Sequence, residues 1–282
     1  VGQRELAERG GRTVNRYRHA EEDATGSGIR RIVKGFAFVV VVLMISGCAT
    51  SQANREQADH HINIGSAYIQ AAQYNPALKE LLDAEKLVPD DAKVHYLLGV
   101  AYQGKGFRDK AAAEFGRAIE LKPDYSEAFN YLGMVYYDLG QFEKAIAAFQ
   151  AALSNIVYDT PSVALYNMGK AYQKLGNIEM ALSKFAEATQ RDPNSSLVPL
   201  IDRDIALILY ARGDYARTIE HLKRAVERVP AFVEAHYWLG ESYLKVREPA
   251  KAAEAFRNVV ATGPDTEFGA KAKQRLEQLK AR

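Results

Sequence analysis

The feature that most limits what this chain can fold into is a 34-residue period that starts at residue 58 and runs nearly to the end. Between Ala92 and Tyr125, His95, Leu98, Gly99 and Tyr102 stand at positions 4, 7, 8 and 11 of the unit. Ala111, Phe115, Ala118 and Pro123 follow at positions 20, 24, 27 and 32. The first four share one helical face, and Ala111, Phe115 and Ala118, spaced i, i+4, i+7, share another. Gly99 and Ala111 are small where two helices must approach, while Leu98, Tyr102 and Phe115 fill the seam and Pro123 stops the second helix. One such hairpin cannot bury its apolar face alone, so it needs neighbours.

The neighbours are copies of it. Residues 58–91 place Gly65, Tyr68, Ala77, Leu81, Ala84 and Pro89 in register. Residues 126–161 carry Gly133, Tyr136, Ala145, Phe149 and Ala152, with the terminating proline displaced to Pro161. Residues 162–195 restore the pattern, and 199–232 weaken it, with Ala206 and Leu209 where Gly and Tyr belong. Residues 233–266 are regular again, and 267–282 read as one more helix with a polar outer face. The unit resembles the tetratricopeptide repeat at every small and aromatic position except the first, where His95 replaces Trp. The resemblance implies an all-α, right-handed superhelical solenoid of six repeats closed by a C-terminal capping helix.

The chain is 48% hydrophobic and 26% charged, ordinary for a globular protein. Its net charge of +2 comes from residues 1–47, with 8 Lys/Arg against 5 Asp/Glu; residues 48–282 hold 29 against 30. That near-neutral body offers no electrostatic reason to bind nucleic acid. No Cys cluster is possible with Cys48 alone, and His61, His95 and His236 all stand at position 4, where a ring packing between helices is the expected role. No metal and no cofactor are therefore expected. The glycines of Gly99–Gly106 are repeat punctuation rather than a phosphate loop, and no serine has a nucleophile-elbow context, so an enzyme is not expected.

Arg30, Arg31 and Lys34 precede Gly35–Ile45, an uncharged run of eleven residues. The run is shorter than the ~20 residues a membrane span needs and fits the apolar core of a signal peptide. Ile45-Ser46-Gly47-Cys48 then resembles the bacterial lipobox, which implies cleavage before Cys48 and its acylation. Three acyl chains hold a protein stably at a membrane. Ala49, rather than Asp, follows the cysteine, which by the same resemblance favours the periplasmic face of the outer membrane. Residues 1–32 make an unusually long polar leader with five acids, and we expect translation to start near Val33. Residues 48–57 read as a lipidated tether, with a reach of at most ~30 Å over the nine residues after the cysteine.

Lipobox, tether, six repeats and terminal helix together resemble the type IV pilus biogenesis lipoproteins of the PilF, PilW and Tgl type. The lengthened third junction, Ala152–Leu165, with Tyr158 and Pro161, matches that family too. The resemblance implies a monomeric secretin pilotin, whose partner is a secretin subunit; the alternative is a lipoprotein adaptor for peptidoglycan enzymes, outer-membrane protein assembly or exopolysaccharide export. Tetratricopeptide arrays bind through the first helix of each repeat, chiefly at positions 2, 5, 9, 12 and 13. Carried over, this gives a groove of Ile62, Ile69, Tyr96, Val100, Asn130, Met134, Tyr137 and Tyr166. Exposed tyrosines there supply contact area at low entropic cost. Cys48→Ala should abolish palmitate incorporation in growing cells; labelling that survives the substitution would remove the anchor from this account.

Overall fold

The computed structural model describes residues 52–281. Cys48, the lipobox and the leader lie outside the described residues. The first helix, α1, spans 52–70. It is followed by α2 (Tyr74–Leu87), α3 (Ala92–Gly104), α4 (Arg108–Leu121), α5 (Ser126–Asp138) and α6 (Phe142–Leu153). Next come α7 (Pro161–Lys174), α8 (Ile178–Arg191), α9 (Val198–Ala211), α10 (Tyr215–Arg228), α11 (Val233–Lys245), α12 (Pro249–Thr262) and α13 (Glu267–Lys280). The fold is an all-α repeat solenoid. One boundary differs from the sequence reading: residues 52–57, taken as tether, are helical. They lack an apolar period because they reach beyond the core, and Arg55 instead pairs with Asp59 and with Asp91, the residue just before α3.

Each signature position has a definite task. Phe115, Phe149, Phe185 and Phe256 are fully buried, and each ring lies across the helix opposite a glycine. A Cβ added to Gly99 would stand 2.7 Å from the Phe115 ring, inside any tolerable contact. Burying a ring of this size stabilises by roughly 1.5–3 kcal/mol, and only a bare backbone lets it lie so deep. In repeat five the pair becomes Ala206 with Leu222: a larger residue on one helix and a smaller one on the other, both buried. Its Thr218, standing where Ala is usual, turns its hydroxyl back to donate to the Asp214 carbonyl at 2.7 Å. The seam before this repeat, α8 against α9, is the thinnest between consecutive helices from α2 onward.

The two helices of a repeat are joined by a left-handed turn. After α3, Gly106 has φ +78° and donates to the Gln103 carbonyl, while Phe107 N–H reaches the Tyr102 carbonyl at 2.9 Å. These are the two bonds of a Schellman cap, and the Tyr102 and Phe107 rings form its usual hydrophobic contact at 6.4 Å. The first and last repeats put Ala72 (φ 55°) and Arg247 (φ 61°) at the same place. A side chain there costs about 1–2 kcal/mol. Arg247→Gly should therefore stabilise by about 0.5 kcal/mol net of glycine's greater unfolded-state entropy, and Gly106→Ala should destabilise by about 1 kcal/mol, both read from chemical denaturation midpoints.

Candidate functional site

Every helix packs on its neighbours in sequence, but α3–α5, α5–α7, α9–α11 and α11–α13 also touch, while the even-numbered helices make no comparable contact among the described residues. The odd helices therefore line the inside of the curve, and their inward side chains form the candidate interface.

The inner face has two unlike halves. From repeat three onward, polar ties link successive odd helices. Asn167 Nδ2 donates to Asn130 Oδ1 at 3.4 Å, and the Tyr166 hydroxyl donates to Asp204 Oδ2 at 3.0 Å. Arg203 bridges to Glu234, and Arg275 grips both carboxylate oxygens of Glu241 at 2.7 and 3.0 Å. Burial pushes the Asp204 carboxyl up, against the opposing pull of Arg203 and the Tyr166 hydroxyl. Burial likewise raises the Tyr166 phenol well above its ordinary range. These groups satisfy one another and leave little polar capacity for a partner.

Repeats one to three present a more apolar inner face. Ile69, Val100, Met134 and Tyr137 are half-buried there. Met134 and Tyr137 open into a cleft of about 110 Å³, completed by Asp138, Phe149, Asn167 and Lys170. The Lys170 ammonium lies 5.3 Å from the Tyr137 ring centre and 5.6 Å from that of Tyr166, a cation held over two aromatic faces. An apolar side chain entering this cleft would meet Met134 and Phe149, with Lys170 placed to take a main-chain carbonyl beside it.

The structure corrects part of the predicted groove. Ile62 (1% exposed), Asn130 (5%) and Tyr166 (7%) are packing residues, with no surface to offer a partner. Tyr96 is half-buried in an aromatic cluster, its ring centre 5.0 Å from Tyr125, 5.6 Å from Tyr131 and 6.0 Å from Phe115. Burial, with Tyr131 and Tyr125 beside it, drives its phenol far above the usual range. Its main work is to join repeats two and three. Lys170 stands at groove position 9, so spacing finds it, although it was not among the residues chosen for the predicted groove; Asn167, at position 6, was missed because spacing does not mark it.

The position-4 histidines do more than pack. His61 Nδ1 lies 2.7 Å from Glu80 and His95 Nδ1 2.8 Å from Glu114, each carboxylate nineteen residues on, in the second helix of the repeat. Repeat five reverses the pair, with Asp202 at position 4 and His221 nineteen residues later at 2.7 Å. The hydrogen bond to Glu114 holds the His95 imidazole above its ordinary value despite burial.

Models of the tetratricopeptide repeat match residues 92–125, 124–194 and 203–266, and a further TPR repeat model matches 57–106. No curated protein matches the sequence. Among solved structures, PilF of Pseudomonas aeruginosa is similar at 18% identity and TM-score 0.69, covering 79% of this chain and 99% of its own. PilW, described as a widely conserved type IV pilus biogenesis factor, shares 21% identity at TM-score 0.69, over 77% of this chain and 98% of its own. YrrB, described as a TPR protein with an unusual peptide-binding site, shares 20% identity at TM-score 0.53, over 69% of this chain and 97% of its own. At these identities the likeness is one of fold.

One residue fixes how the helix bearing Tyr96 and Val100 begins. Asp91 caps α3 by accepting from Lys93 N–H at 2.7 Å and Val94 N–H at 3.2 Å, and it also holds Arg55 of α1. Burial pushes its carboxyl up, but Arg55 and the two amides outweigh this and hold it below the ordinary value. A depressed folded pKa adds stability above about pH 4 that disappears as pH falls through the folded value. Asp91→Asn keeps a capping oxygen but loses the charge. The variant should be less stable than the parent at pH 7, and thermal melts of the two should converge below about pH 4.

Proposed function

We propose, for a chain that belongs to the tetratricopeptide-repeat proteins, that it is a non-enzymatic, protein-binding scaffold anchored through acylated Cys48 at the periplasmic face of the outer membrane, where it promotes assembly of a type IV pilus secretin. The observation that carries the reading is the asymmetry of the inner face. The charged half is tied to itself, while Ile69, Val100, Met134 and Tyr137 leave a half-exposed apolar track ending at the Lys170 cleft. Such a track suits a segment of another protein laid along the inner helices, with an apolar side chain as anchor in the cleft. The similarity in fold to PilF and PilW, together with the lipobox and the lengthened third junction, supports a pilus secretin subunit as the occupant.

Anchoring would supply the mechanism. A secretin subunit bound to a lipidated scaffold is confined to a thin layer near the membrane, where its effective concentration for ring assembly is high without any further contact. Binding only the assembly-competent subunit would shift the equilibrium by mass action. Chemistry on the subunit is not required.

Met134→Ala combined with Tyr137→Ala should reduce secretin-subunit capture about tenfold or more, since both side chains that would hold the anchor in the cleft are truncated. Because both positions are half-exposed, the thermal melting curve should stay close to the parent's. Undiminished capture by a folded double variant would move the interface elsewhere. Deleting the gene should remove secretin multimers while leaving cell shape normal; multimers that persist unchanged would defeat the pilotin reading and favour the other envelope adaptors.

A further inference from the structure

We infer that Glu85, His95 and Glu114 form a binding site for one divalent transition-metal ion of the zinc class, placed where repeats one and two meet. His95 on α3 is 5% exposed, and both ring nitrogens face oxygen acceptors. Nε2 lies 2.9 Å from the Pro89 carbonyl, which can only accept, so this nitrogen carries the proton. In the neutral ring, Nδ1 then presents a lone pair to Glu114 Oε2, 2.8 Å away. Two lone pairs at that distance repel unless a cation joins them, either a second ring proton or a metal ion. Glu85 of α2 brings a third donor, and the ligand atoms of all three side chains lie within 4.8 Å of one another.

The other repeats show what is particular to this place. In repeat one, His61 meets a single carboxylate, Glu80. In repeat five, Arg224 reaches Asp202 at 2.9 Å and supplies the positive charge itself. In repeat six, His236 Nε2 is held by the Pro230 carbonyl at 2.9 Å, as in repeat two, but Ala255 stands where the carboxylate would be and Nδ1 has no partner. Repeat two combines the carbonyl-held imidazole with two carboxylates, and among the described residues neither Glu85 nor Glu114 forms an ion pair with Lys or Arg.

One imidazole nitrogen and two carboxylate oxygens suit zinc, with metal–ligand bonds of about 2.0–2.2 Å. Two negative charges neutralise the ion. A backbone carbonyl on the far nitrogen is the outer contact that orients metal-bound histidines generally. A tetrahedral set of such bonds separates its donors by roughly 3.3 Å, so the His95–Glu114 pair, now at 2.8 Å, would open slightly as Glu85 draws in. Glu114 is partly open to solvent, leaving room for water as fourth ligand. The ion would join α2, α3 and α4, and so brace the first two repeats of the apolar track.

The test is a calorimetric titration of the full-length protein, stripped of metal by chelation, with zinc chloride at pH 7, together with thermal melts and the visible spectrum of the cobalt(II) form. One equivalent should bind, raise the melting temperature, and give cobalt bands of tetrahedral intensity. Glu85→Gln, a partly exposed change that leaves the His95–Glu114 contact in place, should weaken binding about tenfold or more, and His95→Gln should abolish it. His61→Gln should leave it unchanged. No saturable binding by the parent, or equal binding by a folded Glu85→Gln variant, would overturn the site and leave a proton as the only cation between His95 and Glu114.

Discussion

The structure depends on one contact made over and over: an aromatic or leucine side chain of the second helix pressed onto the bare or nearly bare backbone of the first. Phe115 on Gly99 and Phe256 on Gly240 set the distance between helices, and that distance determines how each hairpin presents its outer faces to the next. A solenoid has no central core to average out errors, so its geometry is the sum of these local contacts. Where the pair changes to Ala206 and Leu222, the neighbouring seam is also the thinnest, and there the Tyr166–Asp204 hydrogen bond and that of Arg228 to the Pro193 carbonyl join repeats four and five. These polar contacts supplement the reduced apolar packing at this junction.

Most of the fold could be read from residue spacing because its determinants are local. Gly at position 8 and a ring at position 24 lie within one hairpin, and Pro at position 32 ends it. The site was less legible, for a physical reason. Positions 5, 9 and 12 all point inward, but how far each is covered depends on the next repeat, whose side chains differ from copy to copy. Position 5 holds Ile62, Tyr96, Asn130 and Tyr166. In each case a neighbouring element covers it, and two of the four become hydrogen-bonded ties rather than contact surface. Positions 9 and 12, nearer the helix end, remain more open in Val100, Met134 and Tyr137.

The histidines illustrate the same limit. A ring at position 4 was expected to pack, and it does, yet its hydrogen-bond partner sits nineteen residues later on another helix. Nothing in the local pattern marks Glu80 or Glu114 as different from an ordinary solvated glutamate. The reversed pair in repeat five, Asp202 with His221, shows that the contact belongs to the place in the fold rather than to either residue type. The early start of α1 is another case: residues 52–57 gain their order from Arg55 reaching Asp91, a partner thirty-six residues away.

The turns of Ala72 and Arg247 bear on how the array comes apart. The four inner hairpins turn through glycine, whereas the two outermost turn through residues that carry side chains in a left-handed backbone. An end repeat gives up only one interface when it opens, so it is already the cheapest to lose, and the strained turn makes it cheaper. Amide exchange should then run as a gradient from both ends toward Phe149 and Phe185. At the C-terminal end, α13 and the Arg275–Glu241 clasp slow that fraying. At the other end the corresponding brake is Arg55 on Asp91, so the half bearing the apolar track is the half whose order is most open to being improved by whatever settles on it.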